Sequence, residues 1–367
     1  MTDQKTKHRH KRRHVAGHVA GHVTRHKHRH SKKFPKVEKS VILSQTDKNL
    51  DYENLVIEGG GVLGIAYLGA LKELYDDKSI ETVTSFAGSS VGSIVALVLA
   101  IRCTYDKLEE IILNLNLADF KDRSWIIPDI ARFFRNFGFY KGDKLLGFIQ
   151  DILKEKTGNA NITFKEIYEK YQTKLVITGT NLTKGNVSYF CLERTPDMSA
   201  ALACRISSSV PYFFQSVIYE NCYYVDGGVL NNYPIDIFDD PISLKTKKQI
   251  SNIMHSNNSK NGDTKCTKKI NMKTLGLKLI SESDINQEKG FMAPITDLKS
   301  FSGNLINSMQ SQALKIHVNN NDWKRTVGIY TGNLSFLNFN LTNEEKLFLI
   351  NEGNKAIKLF KKSVILS

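Results

Sequence analysis

The chain has 367 residues, 41% of them hydrophobic, and a formal net charge of +14. That is enough apolar material for a large core, which excludes a disordered or collagen-like polymer. Its longest candidate span, Ile94 to Ile101, is too short to cross a bilayer, and five scattered cysteines (Cys103, Cys191, Cys204, Cys222, Cys266) without metal-ligand spacing predict reduced thiols in an intracellular chain.

The charge is concentrated at the amino terminus. Residues 1–33 hold eleven Lys/Arg and one acidic residue, about +10, leaving about +4 for the remainder. Eight of the ten histidines lie there too, with His10, His14, His18, His22, His26 and His30 at intervals of four and a tandem repeat from His14 to Arg25. A helix would turn them into a stripe able to hold metal or to charge near pH 6. Two glycines and no large apolar residue predict a disordered extension instead. The stretch lacks the apolar core of a secretory signal. Its charge attracts anionic headgroups or nucleic acid without specificity.

Residues 1–52 read as tail and linker. Asn54–Glu58 is the first strand, the glycine loop Gly59–Gly64 follows, and Ile65–Asp77 has helical spacing. Thr82–Ala87 is β-branched and aromatic, and Val91–Arg102 is an apolar run of helical length. This strand, helix, strand, helix order predicts an α/β fold with a parallel sheet. Residues 104–171 read mainly helical, with Pro128 opening one segment and Gly142-Asp143 preceding another that runs to Lys156. Strands return at Lys174–Thr180 and Val187–Leu192, then a helix at Met198–Ser208 and a hairpin over Ser216–Val225. Residues 241–270 are polar and predict a mobile insertion. Within 271–367, strands at Lys273–Ile280 and Arg325–Thr331 and a helix at Leu298–Val318 precede a final helix, opened by the capping box Thr342-Asn343-Glu344-Glu345.

The chemistry centres on Gly88-Ser89-Ser90-Val91-Gly92, a G-x-S-x-G pattern between a strand and a helix. In that context Ser90 is held on a sharp turn, Gly88 and Gly92 let neighbouring backbone approach, and the helix behind aims its positive end at an oxyanion. Gly59, Gly61 and Gly64 form a G-x-G-x-x-G loop. A dinucleotide site would need a ribose-binding acid at the end of the next strand, which instead ends at Ser90. The loop's N–H groups, from Gly59, Gly60, Gly61, Val62 and Gly64, serve either an oxyanion or a tight turn. Asp226-Gly227-Gly228 at another strand end is either a turn or a carboxylate aimed at Ser90. Outside the tail only His255 and His317 remain. His255 sits in the polar insertion and His317 near a helix end, which leaves Asp226 as the direct partner of Ser90.

Glu58-Gly59-Gly60-Gly61-Val62-Leu63-Gly64, Gly88-Ser89-Ser90-Val91-Gly92 and Asp226-Gly227-Gly228, in this order, resemble the patatin-like phospholipase family. Ala203–Phe214 is similar to that family's Arg-Ala-Ser…Pro-x-x-Phe segment, Asn231-Asn232-Tyr233-Pro234 to its Asn-x-Pro stretch, and Phe137–Gly142 to a family turn. Glu58 and Leu63 depart from the pattern, where an aspartate and a basic residue are common. The resemblance implies a three-layer α/β/α sandwich with a catalytic domain over 53–240 that 271–367 completes. It implies hydrolysis of phospholipid or glycerolipid acyl esters with Ser90 as nucleophile, Asp226 as general base, the loop N–H groups as oxyanion hole, and no metal or cofactor. The partner expected is lipid at a membrane or micelle surface, with the basic tail touching anionic membranes, and not nucleic acid. Trp125–Pro128 and the aromatics Phe133, Phe134, Phe137, Phe139 and Tyr140, among Arg132, Arg135 and Lys141, supply either an apolar approach to the serine or packing against the sheet. Rival readings are a soluble-ester hydrolase or acyltransferase on the same residues, and a non-catalytic binding protein that uses the tail.

Overall fold

Alternation along the strands decides the architecture. Leu55, Ile57, Phe86, Leu175, Ile177 and Leu277 fall on one side, Val56, Ala87 and Val176 on the other, and all are buried. A sheet apolar on both faces must be covered on both. The computed structural model, which describes residues 51–115, 120, 137–239, 270–285, 295–296 and 298–365, has that sandwich. These residues belong to one unit, Lys48–Ser367.

The elements are β1 (Asn54–Ile57), α1 (Ala66–Asp76), β2 (Ser85–Gly88), α2 (Val91–Ala100) and α3 (Tyr105–Asn114). Then come β3 (Gly138–Tyr140), α4 (Asp143–Thr157), α5 (Phe164–Tyr171), β4 (Lys174–Asn181), β5 (Asn186–Cys191) and α6 (Ala200–Ser207). They are followed by β6 (Tyr212–Phe214), β7 (Val217–Tyr219), β8 (Cys222–Asp226) and the single turn α7 (Gly228–Asn231). The chain closes with β9 (Thr274–Ile280), α8 (Glu282–Ile285), α9 (Leu298–His317), β10 (Thr326–Tyr330) and α10 (Asn343–Ile365).

Eight strands form one sheet in the order β10-β9-β1-β2-β4-β8-β7, with β5 also on β4. The first five of that path run parallel, whereas β5 and β8 are antiparallel to β4. One face is covered by α1, α2 and α10. Helices α1 and α10 cross so closely that a methyl group on Gly69 would lie 1.8 Å from Ile350 O. The other face is covered by Tyr233, Ile235 and Ile237 together with Leu314 and Val318 at the end of α9. Strands β9 and β10 and helix α10 therefore complete the sandwich begun upstream. Among the described residues no helix is long and apolar enough to cross a membrane.

Most predicted elements stand where the sequence puts them, and the differences have local causes. The strand expected at Thr82–Ala87 begins only at Ser85, because the β1 ladder starts at the Asn54–Ser85 pair. Thr82 instead closes a 3-10 turn, its hydroxyl reaching Ser79 O at 3.0 Å and Tyr52 O at 2.9 Å. Within 104–171 the structure adds the short strand β3, paired with β6. The capping box at Thr342 is present in both its bonds, 2.7 Å and 3.2 Å. The four described cysteines are free and buried. The basic tail, the segment opened by Pro128, most of the 241–270 insertion and Cys266 lie outside the described residues.

The chain on either side of residues 240–269 is pinned by Arg325, which is fully buried. Its Nη2 donates to Asp239 Oδ2 at 2.7 Å and to Asp322 Oδ1 at 2.6 Å, and its Nη1 donates to Asn271 O at 2.9 Å. Removing the cation would strand two buried carboxylates. Arg325→Ala is expected to lower the unfolding free energy by about 3–5 kcal/mol in urea titrations. A loss below about 1 kcal/mol, as for an exposed pair, would refute this.

Candidate active site

The site follows from the pairing of β4. Strand β5 occupies one edge of β4 over Val176–Asn181, so β2 and β8 must share the other. They meet there end to end from opposite directions. β2 finishes with Gly88 beside Ile177, and β8 finishes with Asp226 beside Gly179, two residues further along β4. The turn after β2 and the end of β8 are thereby brought face to face at the carboxyl end of the parallel strands.

Ser90 sits in that turn with φ 49° and ψ −127°, a conformation that costs a non-glycine residue of order 1–3 kcal/mol. Close backbone contact makes the turn possible. A methyl group on Gly88 would lie 2.2 Å from Gly92 O, and one on Gly92 would lie 2.4 Å from Ile57 O. The strain is held by α2, whose ten residues are all buried, and by Ser207 at the end of α6. The Ser207 hydroxyl accepts the Ser90 N–H at 2.9 Å, while its carbonyl accepts the Gly227 N–H at 3.3 Å. Two residues on, Ser209 O accepts the Asp226 N–H at 2.9 Å. One helix terminus thus positions both sides of the site. Arg205, one turn earlier and also buried, donates to Gly142 O at 3.0 Å and to Gln215 O at 3.2 Å and is bonded to Ser209 Oγ as well.

Asp226 is buried. Its Oδ1 accepts the Gly228 N–H at 2.7 Å. Oδ2 makes no hydrogen bond of standard geometry with a described residue, although the Ser90 hydroxyl is near enough to favour the ionised carboxylate. Both observations fit a long or misaligned Ser90–Asp226 contact. Burial dominates the electrostatics: it raises the Asp226 pKa to about 7 against the opposing pull of the Gly228 N–H and the Ser90 hydroxyl.

The glycine loop lies against Ser90, since a methyl group on Gly59 would come 3.0 Å from Ser90 Cβ. Its N–H groups are not equivalent. The Gly59 N–H donates to Asn232 O at 3.1 Å and the Val62 N–H to Phe336 O at 3.2 Å, so neither is free for a ligand, contrary to the sequence expectation. Gly64 is buried within the 3-10 turn Gly61–Ile65, against Val91. The N–H groups of Gly60 and Gly61 have no such partner among the described residues. Asn232 also donates its Nδ2 to Gly59 O at 2.9 Å, so the loop is tied by two bonds to the chain just after Asp226. Gly227 is held so near β4 that a methyl group there would lie 2.1 Å from Thr178 Oγ1. Glu58, ahead of the loop, binds Lys278 Nζ at 2.6 Å and the Leu279 N–H at 2.8 Å, which anchors the loop to β9.

Of the two histidines outside the tail, the described one, His317, does not join this group. His317, at the far end of α9, borders a separate cavity with Asp236 and Asp239, and His255 lies outside the described residues. Ser207 and Asn232 were not singled out from sequence, although both stand in stretches that matched family segments.

An α/β sandwich with a serine on a strained strand-to-helix turn, a buried aspartate facing it and a glycine loop against the serine defines a class of serine-elbow proteins. The comparisons narrow that class. The profile of the family described as Patatin-like phospholipase matches residues 55–239. The chain is 30% identical over 308 residues to Uncharacterized protein R571 of Acanthamoeba polyphaga mimivirus, covering 83% of this chain and 92% of that one. It is 32% identical over 199 residues to Probable lipid hydrolase 463L of Invertebrate iridescent virus 6, covering 54% of this chain and 67% of that one. The crystal structure of VipD from Legionella pneumophila shares the fold with a TM-score of 0.51 at 16% identity, over 87% of this chain and 69% of that one. The chain belongs to the patatin-like phospholipase family of lipid hydrolases.

A raised carboxyl pKa means that the native state binds a proton the unfolded chain has released. The stability linked to Asp226 is therefore full below pH 3.8 and is lost as the pH rises to about 7. Asp226→Asn removes the buried charge. It is expected to raise the thermal midpoint at pH 8 and to change it little at pH 4, with about 4 kcal/mol as the upper bound at the higher pH. An equal shift at both pH values would argue against a desolvated carboxylate.

Proposed function

We propose that the chain hydrolyses acyl esters of phospholipids or glycerolipids, in the manner of a phospholipase A or lysophospholipase, through an acyl–Ser90 intermediate. The observation that carries this reading is the pairing of a strained Ser90 with a buried Asp226 whose pKa lies at about 7. A carboxylate with that pKa is a competent base near neutral pH, and an ordinary aspartate is a much weaker one.

In the proposed sequence Asp226 accepts the Ser90 proton as Oγ attacks the ester carbonyl. The N–H groups of Gly60 and Gly61 and the amino terminus of α2 stabilise the oxyanion that forms. Protonated Asp226 then gives its proton to the departing alkoxide, which leaves the acyl group on Ser90. Water attacks the acyl enzyme with Asp226 again as base, releasing the fatty acid and restoring the serine. Ser207 and Asn232 act as positioning residues, the first through the Ser90 and Gly227 backbone and the second through the glycine loop. The substrate is drawn from a membrane or micelle, where the charge of about +10 in residues 1–33 favours anionic lipid. The catalytic domain is taken as residues 53–240, completed by 271–367.

Ser90→Ala is expected to lower hydrolysis of a monomeric ester by at least about a thousandfold. Asp226→Asn should cost about a hundredfold or more, and His317→Ala should leave the rate within about twofold of wild type. Full activity in either of the first two variants would sink the mechanism, and a large loss in the third would restore a triad. For the wild type kcat/KM should rise with pH and level off above about 7, because the base must be ionised. A profile flat from pH 5 to 8, measured on the same monomeric ester, would exclude Asp226 as the base.

A further inference from the structure

We propose that the protein seats itself on a lipid surface through the carboxyl end of its sheet, by two apolar projections on separate elements around Ser90. One is the β7–β8 hairpin with the β4–β5 turn, and the other is the amino-terminal half of α9. The proposal rests on the lipid-hydrolase reading and identifies the contact surface which that reading requires.

The first projection follows from the strand register. β8 descends toward the end of β2, so its start and the hairpin tip lie beyond the carboxyl end of β4, with Tyr224 beside Asn181 and Asp226 beside Gly179. Tyr223 stands about 10 Å up the strand from Asp226, at three residues of strand rise. Alternation turns Cys222 and Tyr224 inward and leaves Tyr223 outward, opposite Ile218. Leu182 in the adjoining turn donates its N–H to Tyr223 O at 2.9 Å, and the Tyr223 N–H donates to Thr183 Oγ1 at 2.9 Å, so turn and hairpin form one rigid unit. Ile218 is 61%, Leu182 55% and Tyr223 42% exposed. The Phe137 ring, also exposed, lies edge-on to Tyr223 with centroids 6.2 Å apart.

The second projection belongs to a helix that flanks the site. α9 begins after the carboxyl end of β9 and leads down to the start of β10, so its first half lies at the same end of the sheet as Ser90. It packs on α7, immediately after Asp226, where Gln310 Nε2 would lie 2.9 Å from a methyl group on Gly228. Ser302, Ile306 and Ala313 face inward, whereas Phe301, Leu305 and Met309, one helical turn apart, are exposed.

Single exposed apolar residues are ordinary on any surface. What matters here is that two separate elements both turn large apolar side chains outward at the end where the site opens. The occupant is a lipid surface because a water-insoluble ester must leave its aggregate to reach Ser90, and contacts at the site's own end of the sheet keep that transfer short. Lys184 in the β4–β5 turn is exposed and available to meet a headgroup phosphate.

The full chain is tested with vesicles of pure phosphatidylcholine at high salt, which removes the contribution of the basic tail. Wild type and Ser90→Ala are expected to cosediment with the vesicles. Ile218→Asp and Leu305→Asp, on separate elements and both at exposed positions, should each weaken partition by at least about tenfold. Each should slow hydrolysis of vesicle lipid in proportion and leave the rate on a monomeric short-chain ester within about twofold. Failure of the wild type to bind, or unchanged partition in both variants, would overturn the proposal. So would a change in oligomeric state with partition unaltered, since that would make the patch a protein interface. Binding without ester hydrolysis by the wild type would refute the proposed activity and leave this surface standing.

Discussion

Everything at the site depends on two strands of opposite direction sharing one edge of β4. A wholly parallel sheet would bring only the ends of like-directed strands to the carboxyl end. Here β8 arrives from above and stops two β4 residues short of where β2 stopped. The gap is filled by the Ser90 turn and the carboxylate of Asp226. No long connection has to carry the second residue to the first. Backbone ladders fix the separation. Ser207 reinforces the same register from α6 by bonding to both sides of the gap.

The arrangement stores unfavourable free energy in two forms. Ser90 has a positive φ without being glycine, and Asp226 holds a carboxyl group away from water. Each would relax if the surroundings allowed it. They do not, because α2 is buried along its whole length and the backbone approaches at Gly88, Gly92 and Gly227 leave no room for a wider turn. Neither term stabilises the fold. Both are what the proposed nucleophile and base would require.

The sequence made the centre of this legible and its supports much less so. Glycines at fixed offsets from Ser90 and after Asp226 mark backbone that must come close, and the scarcity of histidine outside the tail left few other bases to consider. The helices α1, α2, α4 and α10 follow from apolar spacing, with a side-chain cap at α10 alone of these four. What escaped depends on partners distant in the chain. The Gly59 and Val62 N–H groups looked equivalent to their neighbours until Asn232 and Phe336, far along the chain, claimed them. β3 is three residues long and exists only because β6 pairs with it. Thr82 has β propensity and no ladder partner. Most of residues 125–141, where the sequence offers an aromatic approach to the serine, lie outside the described residues. The exposed apolar side chains at the site's end of the sheet belong to β7, β8 and α9, whose outward faces cannot be told from inward ones until the register is known.

The same antiparallel strand that delivers Asp226 also explains the outer surface. A strand descending toward β2 must start beyond the sheet's carboxyl end, so its hairpin projects there whatever its sequence. With one face of that hairpin packed inward through Cys222 and Tyr224, the opposite face is covered among the described residues only in part, by the edge of the Phe137 ring on Tyr223. Polar residues would have been the neutral choice for such a face. Ile218, Tyr223 and Leu182 instead expose apolar surface that favours contact with an apolar partner over contact with water. The topology that assembles the buried half of the site thus obliges the protein to present a ridge at that end of the sheet, and the apolar residues on it are the basis of the proposed lipid contact.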